Sequence, residues 1–425
     1  MAGAPAELDG RGKSARGVRP VDEQLARVLD TAVRPAPVRV AIADAQGMLC
    51  AEEVVAQRAL PGFDQAAVDG YAVRSVDVSG AGPNTPVALP VVGEIAAGSR
   101  QPHRLQPGQA VRLVTGAPLP TLADAVVPTA ETDGQAANVA IYRPVPSAAF
   151  VRRIGEDVMP GDVAVRRGSV IAAAQVGLLA AVGRERVLVH PRPRVAVLSI
   201  GDELVDVARD PGAGEVYDVN SYALAAAARD CGAQATRVGL VPRDPTRLRA
   251  AVLDHLANSE ILVICGGIGG VVGDQVLSTL GELGDIDGTR VAMHPGSVQG
   301  FGRLGHAKVP TFLLPANPVS ALVLFEVLVR PLIRTTLGRN DPHRRRVRAR
   351  LLSPLASIPD RRGYLRGQLL REEATGDYLV QPLGTSGTQL LSALAEANCL
   401  IELPESVSEV TVGEQVTVLF LAPRV

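Results

Sequence analysis

Apolar and polar positions change rhythm several times along the chain, and each rhythm predicts a different architecture. Val21 to Thr31 set Val21, Leu25, Val28 and Leu29 on one face of a helix that Pro35 and Pro37 close. A short helix or strand is expected at Gly47 to Val55. From Pro61 to about Pro146, short β-prone runs (PVALPVVGEIAAG, QAVRLVTGA, DAVVPT, VAIYRPV) are broken by Gly and Pro and carry no helical period, so this stretch reads as an all-β lobe. Glu156 to His190 returns to strand, Ala-rich helix and strand, and can rejoin the N-terminal helix region.

From Arg194 the pattern becomes regular: strands VAVLSI, ATRVGLV, EILVICG, TRVAMH and TFLLP alternate with helices SYALAAAARDCG, DPTRLRAAVLDHLA, VLSTLGELG and SALVLFEVLVRPLI. Strands apolar throughout need cover on both faces, which predicts a doubly wound α/β domain with a parallel sheet. Asp244 before Pro245 gives an N-cap and a proline at the first helical position, and Asn220 or Ser221 can cap the earlier helix. After Leu337 an Arg-rich hinge leads to RVRARLLS, YLRGQLLR, YLVQPL, CLIELP and EQVTVLFL, the runs of a small β-barrel or sandwich. The expected fold class is therefore α/β plus β in several domains. Residues 1–20 form a tail, 21–57 with 151–190 a split linker domain, 58–150 the β-rich lobe, 191–338 the α/β domain and 343–425 the C-terminal barrel.

A chain of 425 residues fits about three domains of ordinary size. With 47% apolar and 20% charged residues it can bury real cores. A net charge of -1 and the absence of Trp argue against nucleic-acid partners, and the basic run His343 to Arg350 reads as a hinge and a solvated strand face. Cys50, Cys231, Cys265 and Cys399 form no CxxC pair, so neither a disulfide framework nor a zinc knuckle is indicated, and a reducing compartment fits. No signal peptide and no apolar run of membrane-spanning length is present, which points to a cytoplasmic protein without membrane insertion.

Ligands in open α/β sheets bind beyond the carboxyl ends of the strands. The predicted tips carry Ser199, Gly201, Asp202 and Glu203; then Arg243 and Asp244; then GGIGGVVGD with Asp274; then His294-Pro-Gly-Ser297; and last Pro315-Ala-Asn-Pro318-Val-Ser320. Helix N-termini favour an anion, and carboxylates favour a hard cation such as Mg²⁺ between protein and phosphate. Capping alone also accounts for Asp244. The glycine loop matches neither a Walker nor a Rossmann fingerprint. In the lobe, Asp64 and Asp69 flank a short apolar turn, and Asp69-Gly70 and Thr115-Gly116 are ordinary turn signals. The histidines have no metal-ligand spacing, and Cys265 reads as a small buried residue at a strand end.

PGFDQAAVDGYAVR, VRLVTGAPLP with ADAVV, Gly155-Glu-Asp157, SIGDEL, YDVNSYAL and LLPANPVSALVLFE resemble, in order and spacing, the motifs of the molybdopterin molybdenumtransferases, the family of the MoeA proteins and the gephyrin E domain. The resemblance implies an elongated homodimer whose α/β domain is MogA-like. It implies an enzyme that takes adenylylated molybdopterin and molybdate, cleaves the adenylyl bond with Mg²⁺ and leaves molybdenum on the dithiolene. By matching motif, Asp69, Glu203 and Asp274 become catalytic candidates. Thr115, Asp157, Asp244, Pro315, Pro318, Ser320, Arg366 and Thr388 become binding candidates, and Glu203, Asp244 and Asp274 the metal ligands. A molybdopterin adenylyltransferase is an implied partner. The alternative that the likeness to gephyrin raises is a dimeric scaffold with weakened catalysis that binds a cytoskeletal or membrane-receptor peptide tail.

The chain departs from the family pattern on this same rim. GGVSVGDYD becomes GGIGGVVGD, KPGKP becomes His294-Pro-Gly-Ser-Val298, STGDEL becomes SIGDEL and PGNPVSA becomes PANPVSA. Charge-assisted bonds are worth ~1.5 to 3 kcal/mol, so two missing lysines correspond to roughly 3 to 6 kcal/mol. That is on the order of 10² to 10⁴ in affinity. His294 replaces little of this charge at neutral pH, since an unperturbed His titrates near ~6.5.

Overall fold

A computed structural model of the chain describes residues 17–100, 104–384 and 390–421, apart from the side chains of 271 and 272. Two compact units make it up, Pro37–Val189 and His190–Val425 together with the segment up to Ala36. The boundary near Ala36 differs from the expected grouping of 21–57, because the helix Val21–Leu29 buries Val21 and Val28 in the core of the α/β domain.

In the unit Pro37–Val189, a five-stranded sheet runs in the order Ala125–Pro128, Gly70–Val73, Ala110–Leu113, Val87–Ile95, Asn138–Ile141. The strand Gly70–Val73 stands where a turn was expected, and all four of its residues are buried. Its first residue explains the misreading. A Cβ on Gly70 would lie 2.1 Å from the Val127 carbonyl oxygen, so only glycine permits this cross-strand approach, and the resulting DG pair looks like a turn. Short pairings of Val38–Ala41 with Arg186–His190 and of Val54–Val55 with Val163–Val165, beside the helix Ala173–Ala181, complete the unit.

The α/β domain holds a six-stranded sheet in the order Gln234–Val241, Arg194–Ile200, Ile261–Cys265, Val309–Leu314, Gly300–Leu304, Gly284–Asp287. The first four strands are parallel, Gly300–Leu304 runs antiparallel to both its neighbours, and the edge strand Gly284–Asp287 again runs with the first four. Alternation along each strand sorts side chains between two cores. Val195, Val197, Ile261, Val263, Phe312 and Leu314 meet one set of helices, while Ala196, Leu198, Leu262, Ile264 and Leu313 meet the other with Leu248, Val252 and Val276.

The expected fourth strand TRVAMH is not in this sheet. Met293–His294 instead pairs with Arg362–Gly363 of the C-terminal domain. The edge strand Gly284–Asp287 has too little apolar content to announce itself, and glycine lets it pair closely: a Cβ on Gly302 would lie 2.0 Å from the Asp285 carbonyl oxygen. In the C-terminal domain, Arg346–Leu351, Arg362–Arg371, Tyr378–Pro382, Cys399–Leu403 and Gln415–Phe420 close into a barrel, because Arg362–Arg371 pairs with both Tyr378–Pro382 and Cys399–Leu403. Among the described residues no helix is long and apolar enough to cross a membrane.

Candidate active site

Two clusters carry the candidate chemistry, one in each unit. In the lobe, Asp69 ends the segment that enters the buried strand Gly70–Val73, and Thr115 follows the neighbouring strand Ala110–Leu113. Strand pairing brings the two turns together. The Thr115 backbone N–H and its Oγ1 both donate to Asp69 Oδ1, each at 2.7 Å. These bonds, the hydroxyl first, hold the exposed Asp69 carboxyl below its usual range. Asp157 pairs with Arg152 at 2.6 Å in an exposed position. Asp64 accepts from the Ile154 N–H at 2.8 Å and pairs with Arg153 at 2.6 Å, so it fastens the segment that carries Asp157.

In the α/β domain the strands ending at Ile200, Val241, Cys265 and Leu314 present their tips on one edge. Glu203 receives Arg243 Nη2 on Oε2 at 2.5 Å, and the Arg243 N–H donates to Asp202 Oδ1 at 3.2 Å. Two adjacent tips are thus tied by one arginine. Asp244 accepts the Arg247 N–H at 2.9 Å and caps its helix, the structural part that the sequence assigned to it.

The glycine segment is shorter as a loop than expected. The helix Gly270–Gly281 begins well before Val276, with Gly269 preceding it, so Asp274 stands exposed inside the helix and makes no ion pair among the described residues. Gly266 and Gly267 have positive φ, and a Cβ on Gly266 would lie 2.3 Å from the Ile200 carbonyl oxygen. The glycines therefore serve close packing of loop on neighbouring strand. Gly273 is equally constrained, since its Cβ would lie 2.9 Å from the Ile268 carbonyl carbon.

Although His294 belongs to another sheet, its segment still reaches this edge. A Cβ on Gly269 would lie 3.4 Å from a Val298 methyl. Burial first, then the nearby Arg361 and Arg366 cations, hold the half-buried His294 below its usual pKa. Arg366 is buried on the barrel strand Arg362–Arg371, where Nε donates to the Leu383 carbonyl at 3.4 Å. Burial also lowers the Arg366 pKa. Thr388 lies outside the described residues.

The loop after Leu314 is fastened from several sides. Cys265 Sγ donates to the Pro315 carbonyl at 3.0 Å, Asn220 Nδ2 to the Ala316 carbonyl at 2.7 Å, and the Ser320 N–H to Asn317 Oδ1 at 3.0 Å. Pro318 opens the following helix and Ser320 is buried within it. Asp218, which the motif reading passed over, is the buried hub beside this loop. It accepts from Ser199 Oγ at 2.7 Å, from the Ser221 N–H at 3.1 Å and from Ser221 Oγ. An Asp three residues before a serine at a helix start is the signal that identifies it.

Three family models match successive parts of the chain: the MoeA N-terminal region (domain I and II) over residues 19–183, a probable molybdopterin binding domain over 196–335, and the MoeA C-terminal region (domain IV) over 348–421. Molybdopterin molybdenumtransferase 1 of Mycobacterium tuberculosis is 59% identical over 95% of this chain and 99% of its own. The chain belongs to the molybdopterin molybdenumtransferase family. Molybdopterin molybdenumtransferase 2 of the same organism is 39% identical over 90% of this chain and 94% of its own. The crystal structure of a molybdopterin biosynthesis MoeA protein from Pyrococcus horikosii superposes with a TM-score of 0.79 at 32% identity, covering 96% of this chain and 100% of that one.

Membership in the molybdenumtransferase family accounts for the absence of an ordinary nucleotide fingerprint, but it does not by itself assemble a metal centre. Among the described residues no group of three or more His, Cys, Asp or Glu is gathered to hold a metal ion. Glu203 is paired with Arg243, Asp244 caps its helix and Asp274 stands exposed inside another, so the three carboxylates expected to ligate Mg²⁺ are not brought together, and any one of them would need water and substrate oxygens to complete the shell.

Proposed function

We infer that this chain is a transferase of molybdenum cofactor biosynthesis that acts on adenylylated molybdopterin and molybdate and releases AMP. The near-full-length likeness to molybdopterin molybdenumtransferases carries this reading, and it disfavours the scaffold alternative, which has no separate observation behind it. The substrate's phosphate end belongs on the edge formed by Glu203, Asp244 and the loop Pro315–Pro318, where Arg243 and helix starts offer donors.

Each residue has a part to perform. Arg243 holds Glu203 in one orientation, so the carboxylate is already placed when the substrate arrives. Asp69, oriented by the two Thr115 bonds, is a hydrogen-bond acceptor for a substrate hydroxyl or a water on the lobe side. Arg366 and Arg361, beside His294, supply the positive charge that the absent lysines would have given to an oxyanion such as molybdate. Mg²⁺ would be held mainly by substrate oxygens and water, with a carboxylate of this edge such as Glu203 as a ligand, and would supply charge neutralisation at the phosphate. We further propose that the enzyme acts as a homodimer in the cytoplasm, with the lobe of one subunit completing the other's site, and that it receives its substrate from a molybdopterin adenylyltransferase.

The test is to offer the purified protein adenylylated molybdopterin, molybdate and Mg²⁺ and to follow AMP by chromatography. AMP release that disappears in Glu203→Ala supports the reading. No AMP at any substrate concentration overturns it.

A further inference from the structure

Asn220 stands at the start of a helix, yet its side chain does something a cap does not. It is 9% exposed, and it is Asp218, accepting the Ser221 N–H at 3.1 Å, that caps the start of the helix Asn220–Asp230. Instead Nδ2 reaches 96 positions along the chain to the Ala316 carbonyl, at 2.7 Å. That bond fixes which way the amide faces. Oδ1 is buried and accepts no hydrogen bond from the described residues. The donor end of the amide is thus committed to the loop.

The loop bound in this way is Pro315-Ala316-Asn317-Pro318. Cys265 Sγ holds the preceding carbonyl, of Pro315, at 3.0 Å from the end of the neighbouring strand, and the Asn220 amide lies against the same thiol. Two consecutive carbonyls are therefore turned inward, toward strand end and helix start, by two side chains that belong to different elements. Turning both inward sets the peptide planes of the whole loop. It also sets the entry of the helix Pro318–Leu324, which carries Ser320. Position 316 adds weight, because alanine here has less backbone freedom than glycine and the loop is accordingly stiffer.

We propose that Asn220 is a positioning residue of the transfer reaction. Its carboxamide clamps the Ala316 carbonyl and so presets the Pro315–Pro318 loop against which the substrate binds. The proposal rests on the transferase reading above for the identity of that substrate. It predicts an effect on binding in place of chemistry, since Asn220 acts through the loop and not on the reacting atoms.

The experiment compares full-length wild type with Asn220→Ala, Asn220→Asp, Cys265→Ser and Ala316→Gly, each checked by thermal melting. Two quantities are read: steady-state AMP release from adenylylated molybdopterin with molybdate and Mg²⁺, and direct binding of molybdopterin. Asn220→Asp is close to isosteric but cannot donate to Ala316. The clamp predicts that Asn220→Ala and Asn220→Asp each raise KM about tenfold, as loss of one hydrogen bond would, with kcat within about twofold. Cys265→Ser, which keeps a donor to Pro315 on a shorter arm, raises KM less than Asn220→Ala. Ala316→Gly, which keeps the Asn220 bond but loosens the backbone, raises KM less than Asn220→Ala. A folded Asn220→Asp with wild-type KM overturns the proposal, as does a fall in kcat with KM unchanged. If Asn220→Ala fails to fold, Asn220→Asp and Ala316→Gly decide the matter. If wild type releases no AMP, the transferase reading fails, and the binding measurement still decides the clamp.

Discussion

Asp69 and Thr115 are separated by 46 positions yet share one oxygen, Asp69 Oδ1, which accepts both the backbone N–H and the hydroxyl of Thr115 at 2.7 Å. The threonine holds the carboxylate in a single orientation and keeps it ionised. Thr115→Val removes the hydroxyl bond and leaves the backbone bond, so the Asp69 pKa should move up toward the ordinary carboxylate value near ~3.9. Carbon-13 NMR of the labelled aspartate reads this directly. Asp69→Asn should lower the AMP-release rate by about tenfold to a hundredfold, in line with loss of a positioned charged acceptor.

The edge carboxylate Glu203 depends on Arg243 in the same manner. Glu203→Gln keeps shape and loses charge, and should abolish AMP release. Arg243→Ala should lower it by about tenfold to a hundredfold, because Glu203 survives but is no longer held at 2.5 Å. Kinetics of the two variants beside unchanged circular dichroism provides the check.

Gly266 is a structural requirement and not a phosphate cradle in itself. A methyl group there would sit 2.3 Å from the Ile200 carbonyl oxygen at a φ of 83°. Gly266→Ala should destabilise the protein by about 1–3 kcal/mol or more from backbone strain and overlap. Gly281→Ala, with open space around it and no positive φ, should be neutral or mildly stabilising. Denaturant melts of the two variants separate these outcomes.

Asp287 ties the N-terminal segment to the α/β domain. It accepts from Arg19 at 2.6 Å, from Arg27 at 3.0 Å and from the Thr289 N–H at 2.8 Å. Burial pushes its pKa up, but the bonds from Thr289, Arg19 and Arg27 outweigh this and leave it well below the usual carboxylate range. The folded value lies below the unfolded one. Its stabilisation is therefore fully present above the unfolded value near ~3.9 and is lost as pH falls through the folded value. Asp287→Asn should cost about 1–3 kcal/mol at pH 7, and this difference should shrink in acid melts below pH ~4.

Burial, with Arg361 and Arg366 adding to it, depresses the His294 pKa, which gives a second pH window. A histidine more acidic when folded stabilises the fold above its unfolded pKa near ~6.5 and loses that contribution as pH falls through the folded value. His294→Gln should thus remove part of the acid lability between pH ~6.5 and the folded value, seen as a flatter curve of melting temperature against pH.

Much of this was legible in the sequence for identifiable reasons. The barrel strands and the four parallel strands announce themselves through β-prone or continuous apolar runs, and Asp244-Pro245 marks its helix by capping chemistry. Gly70–Val73 and Gly284–Asp287 did not, because close packing at glycine removes the very side chains whose pattern is read. The site was legible only residue by residue. That Asp69 meets Thr115, or that Asn220 reaches Ala316, follows from sheet order and loop path, which no local period encodes. The helix start at Gly270 was hidden by a glycine-rich stretch of low helix propensity, so Asp274 was expected on a loop.

In the transferase reading, release of AMP and capture of molybdenum are one reaction. Single-turnover incubation with adenylylated molybdopterin, molybdate and Mg²⁺, followed by parallel measurement of AMP and protein-associated molybdenum, tests it most directly. The predicted result is equal amounts of AMP and molybdopterin-bound molybdenum, both lost in Glu203→Ala and Asp274→Ala. AMP release without molybdenum capture, or neither product from the wild-type protein, contradicts the account.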